Sequence, residues 1–178
     1  MATEDALEVR VRRHVFITGR PFPDVMKGLY GGISRPDIGN LFRELHETTT
    51  YERFTSLVRQ AQGSAGLMRF LELDEGAALP HDPQTQASAG RRMVRLIAGN
   101  PVTMGQMARH VPDAGSYAPI TILIQEMPDG GTRVAYDSVA SAIAPYNSPA
   151  ATQVAEHLDA EVLDLLRLVT GVPANQRA

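Results

Sequence analysis

The sequence predicts one α+β domain, with four or five mostly antiparallel strands and helices packed on one face. Three observations predict it. The hydrophobic period changes from about 3.6 residues before Gly63 to about 2 after Leu67. A Pro128-Asp-Gly-Gly131 turn separates two β-branched segments. A long apolar stripe with a start signal at Ser148 and a stop signal at Gly171 closes the chain.

The first element, His14 to Thr18 (HVFIT), is β-branched and ends at Gly19, Pro21 and Pro23, so it reads as a strand. Pro21 to Tyr30 reads as a short helix whose end is weakened by Gly28, Gly31 and Gly32. Ser34 reads as an N-cap and Asp37 as the acidic first turn of a helix bearing Ile38, Leu41, Phe42 and Leu45. Thr49-Thr-Tyr-Glu52 fits a capping box. It opens a helix with Phe54, Leu57, Val58 and Ala61 on one face, ending near Gly63. Strict alternation in Leu67 to Leu73 puts Met68, Phe70 and Glu72 on one face, and Leu67, Arg69, Leu71 and Leu73 on the other.

Asp74 to Gly90 is rich in Gly, Pro, Gln and Ser and reads as a long loop, a common carrier of function. Met93 to Ala98 is a strand, and Pro101 to about His110 a helix. The hairpin strands are Ile120 to Met127 and Thr132 to Val139. In the last helix Ser148 is the N-cap and Pro149 sits at N1. Val154, Leu158, Val162, Leu165, Leu166 and Val169 form its stripe, and Gly171 and Pro173 end it. The single domain thus divides into an N-terminal segment (1–50), a core (51–171) and a short tail (172–178).

Composition narrows function by exclusion. A chain of 178 residues buries roughly 70% of its unfolded surface and needs no staple. With no cysteine, disulfides, iron–sulfur clusters, thiolate zinc sites and thiol nucleophiles are excluded. A net charge of −3 argues against a nucleic-acid partner. The longest uncharged stretch, Ser138 to Ala155, holds two prolines and an asparagine, so no membrane association is expected. The start, MATEDALEVRVRR, has no apolar core of a signal peptide, and the expected location is the cytoplasm. No phosphate-binding glycine loop, Gly-x-Ser-x-Gly elbow or His-x-x-x-His pair is present, so neither a cofactor nor a metal is expected.

Several short motifs occur in a characteristic order. Leu73-Asp74 follows a strand, Gly99-Asn100-Pro101 follows another, Pro119 precedes a third, and Asp129-Gly-Gly-Thr-Arg-Val-Ala-Tyr136 forms the hairpin. In this order, from about Tyr51 to Gly171, the chain resembles the domain of unknown function 302 family. The resemblance implies an α+β fold and a homodimer, and carries no established activity. Two departures stand out. The family's Asp-His pair is Asp74-Glu75 here, and an acidic residue before its Leu-Pro step is Tyr117.

The residues offer a few candidate sites. Glu72 and Glu126 each stand within an otherwise apolar strand face, where a carboxylate must be exposed, paired or raised in pKa. Arg69, Arg95 and Arg133 are the expected partners from neighbouring strands. Asp74 and Glu75 leave a strand side by side, though neighbouring side chains there point to opposite faces. His81 is the only histidine placed in the long loop. Asn100 either presents an amide beside a helix N-terminus or simply caps that helix. Tyr136 either turns a phenol to a pocket or packs as a strand tyrosine.

The leading functional expectation is a homodimer that binds a small organic molecule and acts on it by proton transfer, such as isomerisation, cyclisation or hydrolysis. Glu72, Asp74 or His81 would act as base, with Arg69, Asn100 and Tyr136 holding the substrate. The alternative is a non-catalytic interaction or sensor module. A cavity with convergent polar groups separates the two readings.

Overall fold

The hairpin sits near the centre of the sheet. In the computed structural model, which describes residues 2–81 and 90–173, β4 (Ile120–Glu126) and β5 (Thr132–Asp137) flank the Pro128–Gly131 turn. Gly130 takes a φ of 84°, the left-handed conformation that this turn requires. β1 (Arg13–Thr18) pairs with the free side of β5. β3 (Met93–Gly99) pairs with β4, and β2 (Met68–Asp74) forms the far edge. The order is β1-β5-β4-β3-β2, and every pairing is antiparallel.

Alternation along these strands sends one set of side chains into the core. Phe16, Leu96, Ala98, Ile120, Ile122, Ile124, Val134 and Tyr136 are buried on the same face. Two helices, α1 (Phe22–Gly32) and α6 (Pro149–Thr170), join that core. The apolar stripe of α6 is buried at Leu158, Val162, Leu165, Leu166 and Val169, and Ser148 Oγ accepts from Ala151 N as the N-cap. Gly28 and Gly32 do not break α1. They admit α6, because a Cβ at Gly28 would lie 2.8 Å from Val169 Cγ1 and one at Gly32 would lie 2.6 Å from Leu165 Cδ1.

A second cluster gathers at the edge strand. Leu41 and Leu45 of α2 (Ile38–Glu47) and Leu57 and Val58 of α3 (Tyr51–Ala61) close around Met68. Val102 of α4 (Pro101–Ala108) and Phe70 pack against it.

Local signals and tertiary contacts compete at four places. The cap of α2 is Asp37, which accepts from Asn40 N, and not Ser34. Ser34 instead pairs with β2 through Arg69 N to Ser34 O (2.8 Å) and Ser34 N to Leu67 O (3.3 Å). The cap of α3 is Thr50 rather than Thr49, since Thr50 Oγ1 accepts from Arg53 N. The predicted loop after Asp74 begins as a 3-10 helix, Glu75–His81, and residues 82–89 of it lie outside the described residues. The strand predicted to Val139 ends at Asp137, and Ser138 caps a short helix, α5 (Val139–Ile143).

The largest departure is in β2. Arg69 pairs with Ala98 and Leu71 with Ile97, so Phe70 is one residue extra on the edge strand. Such a bulge resets the alternation. Arg69 and Glu72, opposite Ala98 and Leu96, therefore share the core-facing side. The expected grouping of Glu72 with Met68 and Phe70 is corrected on this ground. An unbulged strand would turn residues three apart to opposite faces.

Candidate functional site

Tyr30 is in the last turn of α1, beside the segment by which Ser34 pairs with β2. The bulge turns Arg69 and Glu72 towards it. Tyr30 Oη donates to Glu72 Oε1 at 2.9 Å. The Arg69 guanidinium pairs with the other carboxylate oxygen, Oε2, and stands 4.5 Å over the Tyr30 ring, within cation–π range. Arg69 is held inside this stack, with its side chain 11% exposed against 36% for Glu72. The three groups form one wall of a cleft of about 710 Å³, a size that suits a small organic molecule. Ser34, Arg35 and Asp74 add polar groups to its lining.

Burial is the first cause that holds the Tyr30 phenol above its ordinary pKa, and the hydrogen bond to Glu72 is the second. The phenol therefore keeps its proton at neutral pH and stands as a hydrogen-bond donor to Glu72. Asp74 has a structural task as well, since its Oδ1 accepts from Ala77 N at 3.1 Å and starts the 3-10 helix. Its neighbour Glu75 turns away to Arg95 at 2.9 Å.

The structure brings together Arg69, Glu72 and Asp74 and leaves three other candidates outside this cleft. His81 is exposed at the end of the 3-10 helix. Asn100 caps α4. Its Oδ1 accepts from Val102 N (2.9 Å) and Thr103 N (3.4 Å), while Nδ2 donates to Gln62 Oε1 (2.9 Å) and Gly66 O (3.0 Å). An amide with both ends committed has little left for a ligand.

Tyr136 is 1% exposed, so its phenol cannot meet a pocket. It donates to Asp159 Oδ1 at 2.6 Å. Burial first, then the Asp159 charge, push its pKa far above the ordinary tyrosine value. Glu126 finds neither Arg95 nor Arg133 but Arg92, whose Nη2 lies 2.6 Å away. That guanidinium holds the Glu126 carboxyl below its usual pKa.

The sequence reading missed Tyr30 and Asp159. No local signal links Tyr30 to a carboxylate 42 residues later. Asp159 did have a signal, an acid set in the apolar stripe between Leu158 and Val162.

Comparison with known families settles the kinship. A family model, "Domain of unknown function DUF302", matches residues 44–168. The chain belongs to the DUF302 family. A solved structure, "Crystal structure of uncharacterized conserved protein DUF302 from Bacillus stearothermophilus", has the same fold with a TM-score of 0.56 and 13% identity. The match covers 86% of this chain and 94% of that one. Residues 51–178 are only 128 of 178, so the fold shared with this DUF302 protein takes in part of the N-terminal segment. No curated protein matches the chain. No helix among the described residues is long and apolar enough to cross a membrane, and these residues hold no cluster of three metal-ligating side chains.

Proposed function

We propose that this DUF302 protein is a cytoplasmic homodimer that binds a small organic molecule in the Tyr30–Arg69–Glu72 cleft and transfers protons on it. The observation that supports this reading is the 2.9 Å contact between a protonated phenol and a carboxylate inside a polar cleft. A substrate that displaces the Tyr30–Glu72 hydrogen bond frees the phenol to protonate one of its atoms and the Oε1 of Glu72 to deprotonate another. Glu72 takes a proton from a carbon or water, while Tyr30 donates to a carbonyl oxygen. Arg69 steadies the negative charge that develops. This chemistry covers isomerisation, cyclisation and hydrolysis, with no cofactor in the scheme.

Native mass spectrometry of freshly purified protein tests the binding half. The expected result is a retained non-covalent mass that disappears in Arg69→Gln. Its identity then supplies the substrate for assay, where Glu72→Gln lowers turnover on the order of a hundredfold. Wild-type protein that flies without added mass, and is not stabilised by a panel of small carboxylates and ketones, defeats the reading and favours the interaction module.

The open sheet face supports the dimer. Val15 (45% exposed) and Ile17 (61%) lie on the side of the sheet away from α1 and α6. Large aliphatic side chains that share one exposed face favour contact with a second copy. Sedimentation velocity is expected to give a dimer for wild type and a monomer for the Val15→Asp, Ile17→Asp double variant. A wild-type monomer at micromolar concentration sinks the proposal.

A further inference from the structure

A second cleft has chemistry opposite to that of the first. It is a groove of about 440 Å³ where α2, α3 and α4 meet. Phe42, Leu45, Phe54, Val102 and Met104 make it apolar. Phe42 is left 44% exposed and Tyr51, at its rim, 62% exposed. Among the described lining residues two side chains are basic, His46 and Arg109, and none is a carboxylate. No described carboxylate lies within ion-pair distance of either. Among the described residues the Arg109 side chain makes one hydrogen bond, from Nε to His110 Nε2 at 3.1 Å.

We propose that this groove binds an amphipathic monoanion, a medium-chain aliphatic carboxylate whose tail lies along α4 and whose head meets Arg109 and His46. Burying the tail against the aromatic and aliphatic lining supplies the attraction. The Arg109 cation selects the sign of the head, because an ammonium would meet like charge and an alcohol would lack the ion pair, and the His46 imidazole can add a hydrogen bond. From Pro101 to Arg109 the helix rises about 12 Å, a length suited to an extended medium chain. The site is separate from the Tyr30–Arg69–Glu72 wall and does not depend on it.

Gly105 gives the proposal a clean test. It lines the groove within α4, and a Cβ there would meet nothing within 4 Å. Gly105→Leu therefore fills the groove without clashing with the fold. Titration calorimetry with decanoate, decanol and decylamine on the full chain is the experiment. Decanoate is expected to bind in one equivalent, about two- to fivefold tighter than decanol, with decylamine weakest. Gly105→Leu is expected to abolish decanoate binding. The Arg109→Gln, His46→Gln pair, both exposed in wild type, is expected to bring decanoate down to the decanol affinity. Raised salt should narrow the same gap. Three results overturn the proposal: no decanoate binding at millimolar concentration, equal affinity for all three heads, or undiminished binding in folded Gly105→Leu. Should Gly105→Leu fail to fold, the double variant decides by whether the gap between decanoate and decanol closes.

Discussion

Replacing Asp159 with alanine is expected to cost about 3–5 kcal/mol of folding stability, the range for breaking a buried hydrogen-bond network. The carboxylate is 7% exposed and accepts four hydrogen bonds. Two come from hydroxyls, Tyr136 Oη at 2.6 Å and Ser138 Oγ at 2.5 Å. Two come from the first backbone amides of α5, Val139 N at 2.9 Å and Ala140 N at 3.1 Å. One side chain of α6 thus ties the end of β5 to the start of the next helix. Alanine leaves those donors buried, and each orphan costs about 1–3 kcal/mol unless water enters.

Two milder variants separate the contributions. Tyr136→Phe keeps the ring packed and loses one bond, so about 1–2 kcal/mol is expected. Asp159→Asn keeps the volume but turns an NH2 towards donors, so it should fall between the other two. Urea denaturation followed by circular dichroism measures all three. A loss below about 1 kcal/mol for Asp159→Ala would mean that water substitutes for the carboxylate.

Gly63→Ala is expected to be nearly as damaging, at about 3 kcal/mol, the upper end of the cost of overpacking. A Cβ there would lie 2.3 Å from Gly32 O and 2.6 Å from Ser34 N. Both are backbone atoms, so no side chain can swing aside. The turn after α3 would have to part from the segment that pairs with β2. Ile33, Ser34 and Arg35, on that segment, also line the Tyr30 cleft, so ligand binding there should weaken as well. Gly105→Ala is the matched control. Its Cβ meets nothing within 4 Å, and helix propensity favours it by about 0.8–1 kcal/mol. Urea midpoints that move equally for the two glycines would refute the steric argument.

Most of the architecture was legible because it rests on short-range rules. The hairpin follows from Gly130 at positive φ between two alternating segments. The start of α6 follows from Ser148-Pro149, and its packing from a stripe of period about 3.6. Asn100-Pro101 was readable as a cap for the same reason, and its geometry is that of a cap. The site was legible only in part. Glu72 stands out as an acid in an apolar strand and Arg69 as a basic candidate near it. Their placement on opposite faces followed from the same alternation that worked in β3, β4 and β5.

The sequence by itself determined which segments become strand or helix, where most of them start and stop, and which side chains have to leave water. Those properties depend on neighbours within a few residues, so they can be read along the chain. Only the tertiary structure decided the rest. The Phe70 bulge lies on an edge strand whose outer side is paired at Ser34 and otherwise open, so it can absorb an extra residue. Ser34 gives up a cap for a place beside β2 because a backbone pairing is on offer there. Tyr30 meets Glu72, and Asp159 meets Tyr136, across distances in sequence that no local pattern spans. Hydrogen bonding and burial are satisfied in space, and a polar group in an apolar run says only that some partner is needed. Which partner it finds depends on how the layers pack.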